Sequence, residues 1–275
     1  MISASRMRRA QERAIAARPY AEKTRELLRR LAQAEDAAAV QPLLARRPVR
    51  RLLVVVMASD RGLCGGYNNN VIRLARDYVE QRRLPAAYVG VGRKACEAIA
   101  RAQGELMAAF DSLPTQIDMA FASVIARTVE DAFLSGEVDA AVVAFTRFVS
   151  TMVHTPVIRQ LLPVVPGRRM GREEEAERGD NHGEEEIEYI YEPAAEAILN
   201  TLLPRSLEVE VLACLLESAA SEHSARMVAM QNATENAEDM VDDLVREYNR
   251  ARQTSITNEI LDIAGGAEAL RRASV

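Results

Sequence analysis

The sequence has 275 residues and a formal net charge of −5; 48% of its residues are apolar but only 4% are aromatic. This length suits one large domain or two smaller ones, and the composition favours a helix-rich protein. The longest apolar run, residues 52–58, is too short for a membrane-spanning helix, which requires about 20 residues. Three scattered cysteines argue against a disulfide framework or a zinc site, so we expect a soluble protein of a reducing compartment.

The N-terminal segment, residues 1–47, is predicted to be a coiled-coil helix, and its first 35 residues form helix readily except at Pro19. Its first 30 residues contain nine arginines or lysines and three glutamates. Such a basic segment can indicate nucleic-acid binding, but here the glutamates offset part of the positive charge. The favoured interpretation is an antiparallel pair with the acidic C-terminal segment of the same chain.

Residues 48–193 are predicted to form an α/β globular domain. Short apolar runs rich in β-branched residues alternate with helix-like stretches near residues 68–82, 93–104 and 116–135. This alternation is typical of a mainly parallel sheet covered by helices. The runs predicted as strands are "RRLLVVVMAS", "AAYVGVG" and "VDAAVVAF", with "PVIRQLLPV" and "EIEYIYEP" as further, possible edge strands. An acidic, glycine-containing stretch at about residues 168–187 is predicted to be a solvated surface loop.

A glycine-rich turn follows the first predicted strand, in the segment "MASDRGLCGGYNNN" at residues 57–70. A strand, a glycine-rich turn and a helix are also the elements of many phosphate sites, but neither phosphate-binding fingerprint is present. Asp60 would moreover repel a phosphate at this position. Cys64 and the three scattered histidines form no catalytic or metal-ligating pattern. The turn is therefore interpreted as structural, and no catalytic residue, metal site or cofactor is predicted.

The C-terminal segment, residues 194–275, is predicted to be a long coiled-coil helix and has the strongest periodicity of the chain. Apolar or small residues recur there at alternating steps of three and four, which is typical of a coiled-coil seam. A continuous helix over residues 206–270 would be about 100 Å long, too long for a compact domain of this size. Whether Gly265 and Gly266 interrupt it stays open. The seam positions are Leu212, Leu215, Ala219, His223, Met227, Met230, Thr234, Ala237, Val241, Leu244, Tyr248, Arg252, Ile256, Ile260 and Ile263.

Four segments in order along the chain resemble the γ subunit of F-type ATP synthases. They are "SASRMRRAQERAIAARPYAEKTRELL", "MASDRGLCGGYN", "YIYEPAAEAILNTLLP" and "SEHSARMVAMQNATENAEDMVDDLVREYNRARQTSITNEILDIAGGAEAL". The resemblance covers nearly the whole chain. It implies a Rossmann-like globular domain with a long antiparallel coiled coil formed by the N- and C-terminal helices.

The resemblance also implies a function without catalysis. The chain would be the central-stalk rotor of a proton-transporting (or sodium-transporting) ATP synthase, coupling rotation of the c-ring to conformational changes at the catalytic sites on the β subunits. Its partners would be the α and β subunits of the α₃β₃ cylinder, the ε subunit and the c-ring. It would be peripheral on the cytoplasmic side of the bacterial inner membrane. The alternatives are a nucleotide-binding α/β enzyme and a coiled-coil scaffold unrelated to ATP synthesis.

Several residues acquire subunit-contact roles from the resemblance alone. Arg252, Gln253 and Thr257 would contact the catch loops of the β subunits, and Glu259 is assigned to subunit contact beside them. Arg226 matches a basic residue of the lower coiled coil that the family uses in coupling. Three residues of the "YIYEP" segment would lie near the c-ring and ε: Tyr189, Tyr191 and Glu192.

The sequence departs from the family in two respects. The family normally begins about 25 residues earlier, roughly seven helical turns, and we expect that Met1 is an internal methionine taken as the start. The redox-regulated photosynthetic members carry an inserted cysteine pair. None of the three cysteines here forms such a pair, so thiol regulation is not expected.

Overall fold

The computed structural model describes residues 41–164 and 195–273, together with positions 7, 8, 10, 12, 19 and 23 near the start of the chain. Three predicted features therefore lie outside the described residues: the strand "EIEYIYEP", the acidic loop at 168–187 and, apart from a few positions, the N-terminal helix of the antiparallel pair. The described chain divides into two compact units, Met1–Val228 and Ala229–Val275.

The first unit contains a five-stranded sheet with helices between its strands. Its strands are β1 Leu52–Met57, β2 Ala86–Val91, β3 Glu105–Phe110, β4 Ala140–Phe148 and β5 His154–Leu162. Its complete helices are α1 Tyr67–Arg82, α2 Arg93–Arg101 and α3 Met119–Leu134, and a short 3-10 turn precedes the sheet at Pro42–Leu44. The last helix, α4, runs over Ala195–Ala273.

The strand order is β3-β2-β1-β4-β5. Strands β1 to β4 are parallel neighbours, whereas β5 is antiparallel to β4 at one edge. The central strand β1 is buried at all six positions, which explains why its sequence is a continuous apolar run rather than an alternating one. The fold is thus a mixed α/β sheet with a long C-terminal helix, and the predicted fold class is confirmed in these respects.

Each face of the sheet carries its own helices. Alternate β1 residues Leu53, Val55 and Met57 pack in one apolar cluster with α3 and with the first part of α4. The intervening residues of the same strand pack in a second cluster with α1 and α2. Because side chains of a strand alternate between faces, one apolar strand supplies both layers of the core.

Strand β3 was not predicted, because its sequence "ELMAAF" contains no β-branched residue and its edge position leaves three of its six side chains exposed, without a regular alternation. Helix α4 begins at Ala195 and passes through Pro204, so it starts earlier than the seam pattern that was followed from Ser206 within the predicted C-terminal helix of residues 194–275. It also continues through Gly265 and Gly266, which resolves the question left open by the sequence.

Candidate functional site

The turn after β1 is held by its own side chains. The Asp60 carboxylate accepts hydrogen bonds from the backbone N–H groups of Arg93 (3.1 Å) and Leu113 (2.9 Å). These two residues follow β2 and β3, so Asp60 ties together the carboxyl ends of three neighbouring strands. This gives the turn a structural task, in agreement with its interpretation from the sequence.

A second set of contacts closes the turn from within. The backbone N–H of Ser59 donates to Oδ1 of Asn68 at 3.0 Å, and Nδ2 of Asn68 lies 3.2 Å from Sγ of the buried Cys64. Leu63, in contrast, has a positive φ of 59° and is 75% exposed. The turn is therefore a fixed loop whose tip presents an apolar side chain to the surface.

Helix α4 contacts this loop through Arg226, which the resemblance had singled out. Its guanidinium pairs with Glu222 one turn earlier (Nη1 to Oε1, 2.7 Å) and donates to the carbonyl oxygens of Arg61 (3.3 Å) and Gly62 (3.4 Å). Arg226 thus connects the helix to the backbone of the "DRGLCGG" segment. Arg226 and this segment both lie in the first unit.

A buried contact lies at the start of α1. The Tyr67 hydroxyl donates to the carbonyl oxygen of Ser218 (3.1 Å) and lies 2.7 Å from the Ser218 hydroxyl. Burial, together with the nearby carboxylate of Glu222, raises the pKa of Tyr67 above its ordinary value. The phenol therefore stays protonated at neutral pH and remains available as a donor to α4.

Strand β5 is attached to α4 by an ion pair. Arg159 Nη1 lies 2.8 Å from Glu210 Oε1, and its guanidinium stacks 4.7 Å from the centre of the Phe145 ring. Burial acts to lower the pKa of Arg159, but the neighbouring Cys214 and Glu210 outweigh it, so the pKa is raised and the side chain stays charged. Periodicity did not reveal this pair, because its members are 51 positions apart.

Two further serines of α4 bond to the sheet. The Ser221 hydroxyl donates to the carbonyl oxygen of Thr146 in β4 (3.1 Å), and the Ser224 hydroxyl to that of Thr151 in the β4–β5 hairpin (2.8 Å). Sequence reasoning missed these residues too. The available signal was the repeat of serine at every third position in "SAASEHS", residues 218–224.

In the second unit, the predicted β-contact residues all lie exposed on α4: Arg252, Gln253, Thr257 and Glu259. Gln253 and Thr257 are one turn apart and joined by a hydrogen bond from Thr257 Oγ1 to the Gln253 carbonyl (2.8 Å). Arg252 and Glu259 are two turns apart and therefore share a side of the helix. Tyr189, Tyr191 and Glu192 lie outside the described residues.

Between residues 230 and 263, α4 exposes many apolar side chains, most of them at or beside the predicted seam positions. These are Met230, Met240, Val241, Leu244, Val245, Tyr248, Ile256, Ile260, Leu261 and Ile263. A run of this kind is typical of a surface that a partner covers.

Within the described ranges, no group of histidine, cysteine and carboxylate side chains is arranged to hold a metal ion. In the same part of the chain no helix is both long and apolar enough to cross a membrane. The interactions described above are contacts between elements of the fold.

Comparison with known proteins agrees with this character. The family model described as ATP synthase matches residues 1–270. The chain is 45% identical over 271 residues to the ATP synthase gamma chain of Dehalococcoides mccartyi (strain CBDB1), covering 98% of this chain and 91% of that one. It is 42% identical to the ATP synthase gamma chain of Moorella thermoacetica, with the same coverage.

Solved structures have the same fold at lower identity. A chain of the Euglena gracilis mitochondrial ATP synthase, in an assembly of OSCP, F1 and c-ring, matches with a TM-score of 0.60 and 20% identity, covering 98% of this chain and 96% of that one. A chain from the central stalk and c-ring of the Tetrahymena thermophila mitochondrial ATP synthase matches with a TM-score of 0.53 and 19% identity, covering 85% and 100%. On the family model and the sequence identities together, this chain belongs to the family of ATP synthase gamma chains.

Proposed function

We propose that this chain couples ion-driven rotation of a membrane-embedded c-ring to conformational changes at the catalytic sites on the β subunits. The observation that carries the proposal is the family match over residues 1–270, joined to 45% identity with a gamma chain over 98% of the sequence. The chain is a non-catalytic central-stalk subunit. This membership sets aside the two alternatives, a nucleotide-binding enzyme and an unrelated scaffold.

The mechanism follows from a shaft with different side chains on its different sides. As the shaft turns, each β subunit meets a new set of side chains, and only a difference in binding free energy between β conformations can shift their populations. Exposed polar and charged side chains of α4, such as Arg252 and Glu259, are accessible to a β subunit. They supply these differences in binding free energy. Nucleotide chemistry stays on the β subunits, and this chain biases their conformations.

The proposed function also assigns contacts with other subunits to particular residues of this chain. Arg252, Gln253, Thr257 and Glu259 bind loops of the β subunits, and the apolar side chains of α4 beyond residue 229 are covered inside the cylinder of α and β subunits. Arg226 acts by holding α4 on the loop after β1. Tyr189, Tyr191 and Glu192 contact the c-ring and ε.

The location follows from these partners. The chain is part of a membrane-associated complex, and we place it on the cytoplasmic face of a bacterial plasma membrane, attached through the c-ring and taking part in ion transport only through the complex.

Co-purification from the native host tests the proposal. The chain carries an affinity tag, membranes are solubilised gently, and the stoichiometric partners are identified by mass spectrometry. Recovery of α, β, ε and c subunits is the expected result. Recovery of the chain alone, from a host with active ATP synthase, would overturn the proposal.

A matched pair of variants tests the assigned contacts. In the purified complex, Arg252→Ala combined with Gln253→Ala should reduce ATP-driven ion pumping relative to ATP hydrolysis. Arg246→Ala is the control, because its guanidinium lies on the same exposed helix and pairs with Asp243 of its own chain. Equal ratios of pumping to hydrolysis in both variants would contradict the assignment.

A further inference from the structure

Three serines on consecutive turns of α4 are buried: Ser218, Ser221 and Ser224, here called the serine series. Their spacing of three residues places them along one side of the helix, about 60° apart in succession. A buried hydroxyl that lacks a hydrogen bond is unfavourable, so three of them in one stretch of helix require three partners.

Each member of the series bonds to a different part of the α/β unit. Ser218 meets the Tyr67 hydroxyl of α1 at 2.7 Å, Ser221 donates to Thr146 of β4, and Ser224 donates to Thr151 of the hairpin between β4 and β5. Two of the three acceptors are backbone carbonyl oxygens, whose positions are fixed by the sheet and its hairpin. The helix is therefore attached to a helix, a strand and a turn within about two of its own turns.

A fourth contact holds the opposite side of α4. Arg226 follows Ser224 by two residues, so the two side chains leave the helix about 160° apart. Ser224 bonds to the hairpin, whereas Arg226 bonds to the loop after β1. Rotation of the helix about its axis would lengthen bonds on both sides at once.

Packing of apolar side chains resists such rotation much less sharply. Leu207, Val211 and Leu215 bury α4 against the sheet, but apolar contacts are non-directional and small shifts exchange one contact for another. Hydrogen bonds weaken steeply once the angle at the hydrogen departs from about 150° towards 120°. Burial of the apolar side chains selects the side of α4 that faces the sheet, and the directional contacts define the rotational setting of the helix more narrowly.

We propose that the serine series fixes the rotation of α4 about its own axis, so that torque applied to the α/β unit passes into the helix without slipping. The torque itself rests on the proposed function. The fixed rotational setting is a property of the first unit alone.

The test uses a distance between two labels in the first unit. Nitroxide labels on Arg73→Cys in α1 and Met227→Cys in α4, in a chain with Cys96→Ser, report the rotational setting of the helix by pulsed electron paramagnetic resonance. The variant replaces Ser218, Ser221 and Ser224 together by alanine, the best helix former, so α4 itself should persist. Each lost hydrogen bond should raise the population of rotated settings by about two- to tenfold, which broadens or shifts the distance distribution.

The control variant combines Thr234→Ala with Thr254→Ala. These two hydroxyls bond to the carbonyls of Met230 and Arg250 in α4 itself, so their loss leaves the attachment to the α/β unit unchanged. The control should reproduce the parent distribution. A serine variant with the same distribution as the control would overturn the proposal.

The labelled chain in the complete complex, with α, β, ε and c subunits in sealed membrane vesicles, gives a second readout. There the serine variant should hydrolyse ATP while ATP-driven ion pumping falls, and a serine variant that pumps as well as the parent chain would overturn the torque role. If the parent chain does not assemble with α and β, the proposed function fails. The distance distribution of the chain alone still decides whether the series fixes the helix.

Discussion

The two parts of α4 are one continuous helix with opposite environments. Its residues in the first unit are mostly buried in or beside the core, as Leu203, Leu207 and Val211 show, and its polar side chains there bond to particular atoms of the sheet. From residue 230 onward the helix is exposed, and its apolar side chains lie at the surface of the second unit. A helical pattern alone therefore does not reveal whether an apolar side chain stabilises its own chain or serves a partner.

The largest expected difference between the two parts of α4 comes from replacing one leucine by alanine in each part. Leu207 is 1% exposed and Leu244 is 57% exposed. Leu207→Ala should reduce the free energy of unfolding of the isolated chain by about 2–5 kcal/mol, because it removes apolar contacts and leaves a cavity.

Leu244→Ala should change the same free energy by no more than about 0.5 kcal/mol, as is usual for exposed positions. Urea denaturation of both variants measures the difference. Similar losses in the two variants would show that the second part of α4 is as well covered within the isolated chain as the first.

An ion pair in each part gives the next comparison. Arg159→Met should destabilise the first unit by about 1.5–3 kcal/mol, because it removes a hydrogen bond between charged groups and leaves Glu210 without this partner. Arg246→Met in the second unit breaks an exposed pair with Asp243 and should cost about 1 kcal/mol or less. Thermal unfolding followed by circular dichroism distinguishes the two variants. Equal decreases in Tm would contradict the expectation that the pair in the first unit contributes more stability than the exposed pair.

Replacing the two glycines of the second unit should increase the stability of α4 rather than reduce it. A Cβ at Gly265 or Gly266 meets no atom within 4 Å, so Gly265→Ala and Gly266→Ala should each stabilise α4 locally by about 1 kcal/mol. Amide hydrogen exchange near the end of the helix should slow. Gly62→Ala, which is equally unobstructed but lies in a loop, should leave that exchange unchanged. Faster exchange in the α4 variants would contradict the prediction.

The smallest effect concerns the hairpin next to α4. Burial lowers the pKa of His154 below its ordinary value. A histidine that is harder to protonate when folded contributes stability above its unfolded pKa of about 6.5, and this contribution is lost as the pH falls through the folded pKa. His154→Phe should remove part of the decline of stability below that pH. An identical pH dependence in variant and parent, measured by urea denaturation, would refute this.

Local patterns in the sequence were sufficient for much of the fold. The apolar runs at β1, β2, β4 and β5 and the three helices between them were predicted, because each is a contiguous signal of composition and period. Strand β3 was missed because pairing with β2, rather than its own residues, makes it a strand. The passage of α4 through Pro204 likewise depends on packing, since intrinsic propensity favours a break there.

The candidate site was less accessible to prediction. Arg226 was identified only through the resemblance, and its partners Arg61 and Gly62 lie some 165 positions earlier in the chain. The bonds of Ser221 and Ser224 span more than 70 positions. Contacts of this kind leave no periodic signal, because they depend on the three-dimensional arrangement of elements that are distant in sequence.

Direct observation of rotation tests the central claim most directly. The α and β subunits are fixed to a surface, the assembled chain carries a probe on Arg73→Cys in α1, and ATP is added. The account predicts that the probe turns continuously in one direction and stops when ATP is removed. ATP hydrolysis by the assembled complex with a stationary probe would contradict it.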